Sequence, residues 1–311
     1  MSIPAIASDA AVVAPVSALP QQRSLGRFSK AVLTNRKATA GVVILLIVVL
    51  VSAFPELIAR DDPQAAIYGQ DLGPSAQHLL GTTTLGQDVF AQLIWGTRLT
   101  FIVTIVVSAI ATLISMIIGV TAAYVGGLTD RSLSLLTDIF LILPTLPLLI
   151  VLASYLPPGA VTLIVVLTLT SWAFQARQLR SQGLALRARD FLVAARVRGE
   201  RTSYIVLVEI IPTMTSLIVA SFLGLSVFVV GFAAGLQFLG LGNSTELTWG
   251  TMLYYAQQGG ALEAGNAWWA LAPGAAVAFM GAGFALLNYA FDEIGNPALR
   301  PTRRRRARTP A

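Results

Sequence analysis

The chain has 311 residues, of which 55% are hydrophobic and 12% charged, and its formal net charge is +6. Soluble domains carry about 25% charged residues, so this chain has too few charges to cover its apolar surface in water, and we interpret it as an integral membrane protein. Because it contains no cysteine and a single histidine, a disulfide framework, a thiolate nucleophile and a Cys/His zinc site are excluded.

Uncharged stretches long enough to cross a bilayer predict six transmembrane helices, since each crossing needs about 20 apolar residues. The turn signal Pro157-Pro158-Gly159 divides the longest stretch into two spans. The stretch 210–245 is long for one span and short for two, so its last ten residues are predicted to form an external loop or a short re-entrant piece. The approximate spans are 38–57, 99–125, 134–156, 160–176, 208–234 and 268–291.

The positions of the charges predict how these spans are oriented. The N-terminal segment, the 175–209 loop and the C-terminal tail hold 18 of the 21 lysine and arginine residues. Basic residues concentrate in cytoplasmic loops, so these three regions are predicted to be cytoplasmic. The acid-rich segments 56–98 and 236–263 are predicted to lie outside. Both termini inside require an even number of spans, which six satisfies.

The same patterns divide the chain into four regions. Residues 1–24 are predicted to be a disordered tail, because they lack the basic region and the long apolar core of a signal peptide. The first helix and an external segment occupy 25–98, and 99–295 form a core of five helices with a cytoplasmic loop at 175–209. A basic tail, 296–311, completes the chain.

No sequence pattern of an enzyme active site is present. The only lysines, Lys30 and Lys37, do not follow a glycine, so the phosphate loop of an ATPase is missing, as are the H-E-x-x-H and G-x-S-x-G motifs. His78 has no second ligand nearby and is predicted to be a solvated loop residue. We therefore predict no catalytic residue, no metal site and no nucleic-acid partner.

Ionisable residues are also absent from the centres of the predicted spans. Carriers driven by protons or sodium ions usually keep such residues inside the membrane. A transporter powered by another chain therefore fits better than a secondary carrier, and if ATP is used, another chain must bind it.

The loop 175–209 is unusually long and is predicted to contain a short amphipathic helix that ends at Gly199, where a positive φ is favourable for glycine. Ala194 and Ala195 are small enough to let another surface approach the backbone. From the residues alone, two interpretations stay open: a docking lever for a partner, or a positively charged loop lying on lipid.

The pattern Val193-Ala194-Ala195-Arg196-x-x-Gly199, followed by Pro212, resembles the EAA loop of ABC importer permeases. The segments His78–Thr82, Leu85–Val89, Trp95–Arg98 and Phe238–Gly242 resemble the dipeptide/oligopeptide/nickel permeases, and the best match is their C-type subunit, over about residues 25–300. The sequence departs from the family pattern at Gln87, Glu209 and Gln237.

This resemblance implies an all-α membrane protein with the type I importer (MetI-like) permease fold, in a bacterial inner membrane. It implies import of short peptides with a second permease, one or two ATPases that bind ATP and Mg, and a substrate-binding protein outside. No cofactor is expected in this chain. The alternatives are an oligosaccharide such as a β-glucan fragment, less readily nickel, an ATP-independent carrier, or a membrane scaffold.

The resemblance and the residue chemistry together nominate three groups of functional residues. The predicted ATPase-coupling residues are Asp190, Phe191, Ala194, Ala195, Arg196, Arg198, Gly199 and Glu209. The predicted gate or path residues are Asp138, Pro144 and Pro212, although Asp138 is equally well read as a helix cap. The predicted contacts of a binding protein are Asp88, Trp249, Trp268 and Trp269; for the tryptophans, an aromatic belt at the membrane interface is the favoured alternative.

Overall fold

The computed structural model describes residues 35–295, and the regular structure in that range is helical apart from one isolated bridge between Thr82 and Asp88. The helices are α1 (Arg36–Ala53), α2 (Pro55–Ile58), α3 (Val89–Val125), α4 (Gly127–Ile142), α5 (Thr145–Tyr155), α6 (Ala160–Arg187), α7 (Asp190–Val197), α8 (Thr202–Thr213), α9 (Thr215–Leu236), α10 (Trp249–Gln258) and α11 (Ala267–Gly295). A π-helical turn lies within α8 at Ile205–Ile210, and another extends α9 over Gln237–Leu241. The predicted tails, 1–24 and 296–311, lie outside the described residues.

Within the described range, five helices are long and apolar enough to cross a membrane: α1, α3, α6, α9 with its extension, and α11. A sixth crossing results if α4 and α5, which meet at an angle of 89°, are taken as one broken span. The prediction of an all-helical membrane protein is therefore confirmed, and the count of six holds when the bent pair is one crossing.

The third predicted span, 134–156, is not the continuous helix that its hydrophobicity indicates. It breaks at Leu143 and Pro144, where both residues have extended backbone angles. Proline has no N–H to donate and its ring clashes with the carbonyl four residues earlier, and the residue before a proline avoids the helical region. Pro144 therefore ends α4 and precedes α5.

The central pair of the fold is α3 and α6, which approach closely through small residues. A Cβ added at Gly183 would lie 2.7 Å from the Ala123 side chain, and one at Gly119 would collide with the Ala176 carbonyl oxygen. The buried Ser115 hydroxyl donates to the Trp172 carbonyl across the same interface, at 2.7 Å. Small residues and hydroxyl bonds are the usual means of joining helices in lipid, where apolar surface alone gives no driving force.

A second group of helices consists of α1, α9 and α11. Gly41 of α1 and Gly283 of α11 face each other, and a Cβ added at Gly41 would lie 2.9 Å from the Gly283 carbonyl oxygen. The outer side of α1 exposes Val43, Leu46 and Leu50, as expected of a peripheral helix that faces lipid.

Two helices extend beyond the predicted membrane spans. The helix α3 begins at Val89, ten residues before the predicted start, because Asp88 accepts a hydrogen bond from the Ala91 N–H and caps its first turn at 2.7 Å. The helix α6 continues to Arg187, so the first part of the predicted 175–209 loop belongs to α6. Residues 202–209 belong to α8, and only 188–201, which include α7, connect the two helices.

Candidate functional site

The short helix α7 lies against the ends of the spans with one face buried. Leu192 and Ala195 are fully buried and pack in a cluster with Val120, Leu179 and Ile205. The position of α7 is therefore fixed by the ends of α3, α6 and α8.

Gly199 ends this helix in the way that the sequence predicts. Its φ of +77° lies in the left-handed region, the Gly199 N–H donates to the Arg196 carbonyl at 3.0 Å, and the Glu200 N–H donates to the Ala195 carbonyl at 3.2 Å. These two bonds form a Schellman-type end, for which glycine is the favoured residue.

The opposite face of α7 is uncovered in the single chain. Val197 is 82% exposed, and Phe191, Val193 and Ala194 are also exposed. An amphipathic helix held by one face presents the other to a partner, so the exposed apolar residues make α7 a candidate docking element.

Two arginines at the end of α7 make contacts with other residues of the same chain. Arg196 donates to the Arg187 carbonyl and lies 6.0 Å from the centre of the Tyr124 ring. Arg198 lies 3.6 Å from a carboxylate oxygen of Glu200 and 3.7 Å from one of Glu209. These contacts position α7 relative to α6 and α8.

The structure corrects the prediction that Ala195 makes a close contact with the ATPase. Its side chain packs in the cluster with Leu192 and Val120 and is fully buried within the chain, so it is not part of the exposed face of α7. Asp190, in the first turn of α7, and Ala194, on the exposed face, remain candidates.

Two arginines of α6 connect it to α4. Arg180 makes a forked contact with Asp130, with Nε 2.6 Å from Oδ1 and a terminal nitrogen 2.9 Å from Oδ2. Arg177 pairs with Asp138, and both side chains of this second pair are about half exposed. Asp138 thus lies within α4 as an ion-pair partner and does not cap a helix start.

The remaining gate candidates lie at irregular points of the chain. Pro144 is exposed at the break between α4 and α5. Pro212 is exposed in α8 directly after the π-helical turn, and the Thr215 hydroxyl donates to its carbonyl at 2.8 Å. Both are therefore placed where the helices deviate from regular geometry.

A cleft of about 450 Å³ lies between the α4–α5 pair, α6, α9 and α11. Its walls include Phe140, Phe174 and Phe228, and among the described residues no charged side chain lines it. Gln175, Ser221 and Asn288 also line it, and each has a buried side-chain oxygen without a hydrogen-bond partner in the described part of the chain. Sequence reasoning missed these three residues, although polar side chains inside apolar spans were a usable signal.

On the other side of the spans, the loop before α3 is tightly bonded. His78 Nδ1 lies 2.8 Å from Asp88 Oδ2, and the His78 side chain is 12% exposed. The prediction of a solvated loop histidine is therefore wrong, because His78 packs between Asp88 and the Tyr68 ring. Burial, together with the carboxylates of Asp61 and Asp88, raises the pKa of the Tyr68 phenol.

Three of the four predicted contacts of a binding protein are buried within the chain. Trp249 and Trp269 are each 3% exposed, and Asp88 is 5% exposed. Asp88 caps α3, and the Trp249 indole donates to the Leu93 carbonyl at 3.0 Å. These side chains are not available to a docked protein, which corrects the prediction, whereas Trp268 is half exposed and stays a candidate.

Over residues 35–295, no three His, Cys, Asp or Glu side chains are grouped so that they could hold a metal ion. The features that stand out are therefore the docking face of α7 and the uncharged cleft.

The sequence profile of the family described as "binding-protein-dependent transport system inner membrane component" matches residues 115–301. The chain is 31% identical to the oligopeptide transport system permease protein OppC of Bacillus subtilis (strain 168) over 239 residues, which cover 74% of this chain and 77% of that protein. It is 33% identical to the dipeptide transport system permease protein DppC of the same organism over 280 residues, which cover 87% and 83%.

More distant similarities agree in fold. The nickel transport system permease protein NikC of Escherichia coli (strain K12) is 29% identical over 222 residues, which cover 70% of this chain and 79% of that protein. A chain of the MetNI methionine ABC transporter, solved in inward-facing conformations, superposes with a TM-score of 0.53 at 20% identity and covers 67% of this chain and 97% of its own length. This superposition confirms the predicted permease fold.

Proposed function

The chain belongs to the family of binding-protein-dependent transport system inner membrane components, and from that membership we propose that it is a permease subunit of an ATP-driven importer of short peptides. Peptides are the substrate named for the relatives that cover most of its length, the oligopeptide and dipeptide permeases. We propose that ATP and Mg are bound by partner ATPase chains and that this subunit is not itself catalytic.

The observation that carries the proposal is that α7 has one buried face and one exposed face. One face is anchored by Leu192 and Ala195, and the other exposes Val193, Ala194 and Val197. We propose that this exposed face, with Asp190, Phe191, Arg198 and Gly199, docks on an ATPase subunit. Arg196 and Glu209 would act through the position of α7, because their contacts are within the chain.

The other partners follow from the same proposal. A second, related permease would pack against this chain and complete the path, and a substrate-binding protein would dock outside, with Trp268 as the remaining predicted contact. The basic N-terminal segment, α7 and the C-terminal tail would then be cytoplasmic. Pro144 and Pro212 would lie at flexible points near the path, and the pair of Asp138 with Arg177 would brace its cytoplasmic end.

The transport cycle is then a shift between two conformations. ATP binding would bring the ATPases and their docked α7 helices together and open the path outward, and hydrolysis would return it inward. A substrate-loaded binding protein must favour the outward conformation, since a ligand shifts an equilibrium only by its difference in affinity for the two states.

The test is a change on the exposed face of α7 that leaves its buried face intact. We expect Val197→Glu to lower the amount of ATPase that co-purifies with the permease by about tenfold, a loss of about 1.4 kcal/mol of binding free energy. The matched control is Leu57→Glu, another strongly exposed apolar residue, on the predicted outer side. Normal ATPase recovery and normal peptide uptake with Val197→Glu would contradict the docking assignment.

A further inference from the structure

Three side-chain oxygens without a hydrogen-bond partner in the described range converge on the uncharged cleft from three different helices. They are Gln175 Oε1 from α6, Ser221 Oγ from α9 and Asn288 Oδ1 from α11. Gln175 is 8% exposed and Ser221 is 7% exposed. A Cβ at Gly224 would lie 3.3 Å from Asn288 Nδ2, so the glycine leaves room for this amide beside the cleft.

The positions of the three residues along their helices follow from the rise of an α-helix. At 1.5 Å per residue, Gln175 lies about 22 Å from the start of α6 and Asn288 about 32 Å from the start of α11. Ser221 lies about 9 Å from the start of α9, which runs in the opposite direction and begins beside α8. All three therefore belong to the half of the spans nearer α7.

Such oxygens are unfavourable in a membrane unless something donates to them, because neither lipid tails nor the surrounding apolar walls carry donors. Other buried hydroxyls also lack a partner within residues 35–295. Two of them, Thr168 on α6 and Ser108 on α3, do not line the cleft. Gln175, Ser221 and Asn288 differ from these hydroxyls because they line the cleft, although their unpaired oxygens are buried in its wall. A buried acceptor beside an open volume points to a ligand that supplies donors.

We propose that Gln175, Ser221 and Asn288 form a subsite that hydrogen-bonds the peptide groups of a short peptide during its passage through the membrane. This inference rests on the proposed function. A carboxamide has an acceptor and two donors, so Gln175 and Asn288 can pair with both the N–H and the C=O of a peptide group. The Ser221 hydroxyl can also donate and accept.

The remainder of the cleft suits this class of ligand. Its volume of about 450 Å³ lies in the range of small-ligand sites, roughly 300–1,000 Å³. The Phe140, Phe174 and Phe228 walls accept side chains of different shape, and the uncharged lining that the described residues form leaves recognition to backbone groups. No histidine, carboxylate or thiolate is among the described residues that line the cleft, so these residues offer a nickel ion none of the ligands that it prefers.

The experiment uses the complete transporter in proteoliposomes with its peptide-loaded binding protein, and it measures uptake of a radiolabelled tripeptide and ATP hydrolysis in parallel. We expect Gln175→Leu with Asn288→Leu to lower uptake by at least about fivefold, since two hydrogen bonds to the substrate are lost. The ATPase activity stimulated by the binding protein is expected to stay within about twofold, because α7 and its contacts are unchanged. Ser221→Ala, which removes a single oxygen, should lower uptake in the same direction by a smaller factor.

The matched controls are Ser108→Ala and Thr168→Val, which remove buried hydroxyls outside the cleft. Uptake by these controls should match that of the native transporter. Uptake within about twofold of native for the double variant would overturn the subsite. Loss of assembly with the second permease in Ser221→Ala would also overturn it, since the partner helix would then be the occupant. If the native transporter moves no peptide at all, the proposed function fails, which is a different result.

A second measurement does not depend on the loss of transport. Because the chain has no cysteine, Gln178→Cys places a single thiol in this chain on the exposed edge of the cleft. Transported tripeptide should slow labelling of this thiol by a maleimide during turnover, whereas a thiol at Leu169→Cys, exposed on α6 outside the cleft, should be labelled at an unchanged rate. Equal rates with and without peptide at Gln178→Cys would contradict the proposal.

Discussion

Gly199 shows how a single backbone angle positions the docking helix. Its φ is +77°, and a Cβ added there meets nothing within 4 Å, so only the backbone disfavours another residue. We expect Gly199→Val to destabilise the end of α7 by about 1–2 kcal/mol. The expected result is a folded permease that retains less ATPase, measured as the molar ratio of the two chains after purification.

The control for Gly199 is Gly73→Val. A Cβ added at Gly73 also meets nothing within 4 Å, but the backbone there does not have a positive φ. The ATPase ratio should therefore be unchanged in this variant. The same loss in both variants would mean that the left-handed angle at Gly199 has no special part in docking.

At the scale of residues, the sequence predicts where α7 lies better than which way its side chains face. The neighbouring alanines Ala194 and Ala195 are chemically identical, and only the packing of Val120 and Ile205 against one side decides that Ala195 is buried. The tryptophans show the same limit. Tryptophan suits both an interface and an interior in which its N–H finds an acceptor, and Trp249 finds the Leu93 carbonyl.

Between elements, the contact of Arg180 with Asp130 is the more enclosed of the two pairs that join α4 to α6. We expect Arg180→Met to lower stability by about 1–3 kcal/mol, because it leaves a partly buried carboxylate without its forked donor. Arg180→Lys should give an intermediate loss, since it keeps the charge without the fork. The melting temperature of the purified permease measures both.

The control for this pair is Arg177→Met on the same helix. Its contact with Asp138 is about half exposed, and exposed ion pairs contribute about 0–1 kcal/mol. The melting temperature should fall less than in Arg180→Met. An equal or larger fall in Arg177→Met would show that burial does not distinguish the two pairs.

The same arginines explain why the length of α6 could not be predicted. Counting charges ends the span at Ala176, but Asp138 and Asp130 lie opposite Arg177 and Arg180 and pair with them, so the helix continues to Arg187. The break at Pro144 has a related cause. Hydrophobicity indicates that 134–156 lies in the membrane, whereas the direction of a chain after a proline depends on what it packs against.

Across the whole molecule, α6 and α9 connect the cleft to the docking helix. Gln175 lines the cleft, and Leu179, one turn further along α6, packs against Leu192 of α7. Leu217 of α9 contacts both the cleft and the same cluster. We therefore expect a displacement of α7 to be passed to two walls of the cleft through packed side chains, as a coupled change of conformation requires.

The proposed orientation of the molecule can be tested with single thiols, because the chain has no cysteine of its own. We expect a membrane-impermeant maleimide added to intact spheroplasts to label Leu57→Cys and Leu262→Cys, which are exposed in the predicted outer segments. Val197→Cys and Leu128→Cys are comparably exposed, and in a permease expressed without its ATPase both should be labelled only after permeabilisation. The physical reason is the concentration of arginine around α7, because basic residues are retained on the cytoplasmic side of the membrane.

Two features make this test decisive. All four positions are exposed in the single chain, so a lack of labelling reports sidedness and not burial within the subunit, and permeabilised membranes show whether a partner covers the site. Labelling of Val197→Cys in intact spheroplasts, with protection of Leu57→Cys, would place α7 outside. The docking of ATPases on α7 would then be impossible, because ATP is supplied from the cytoplasm, and the proposed mechanism would fail together with the orientation.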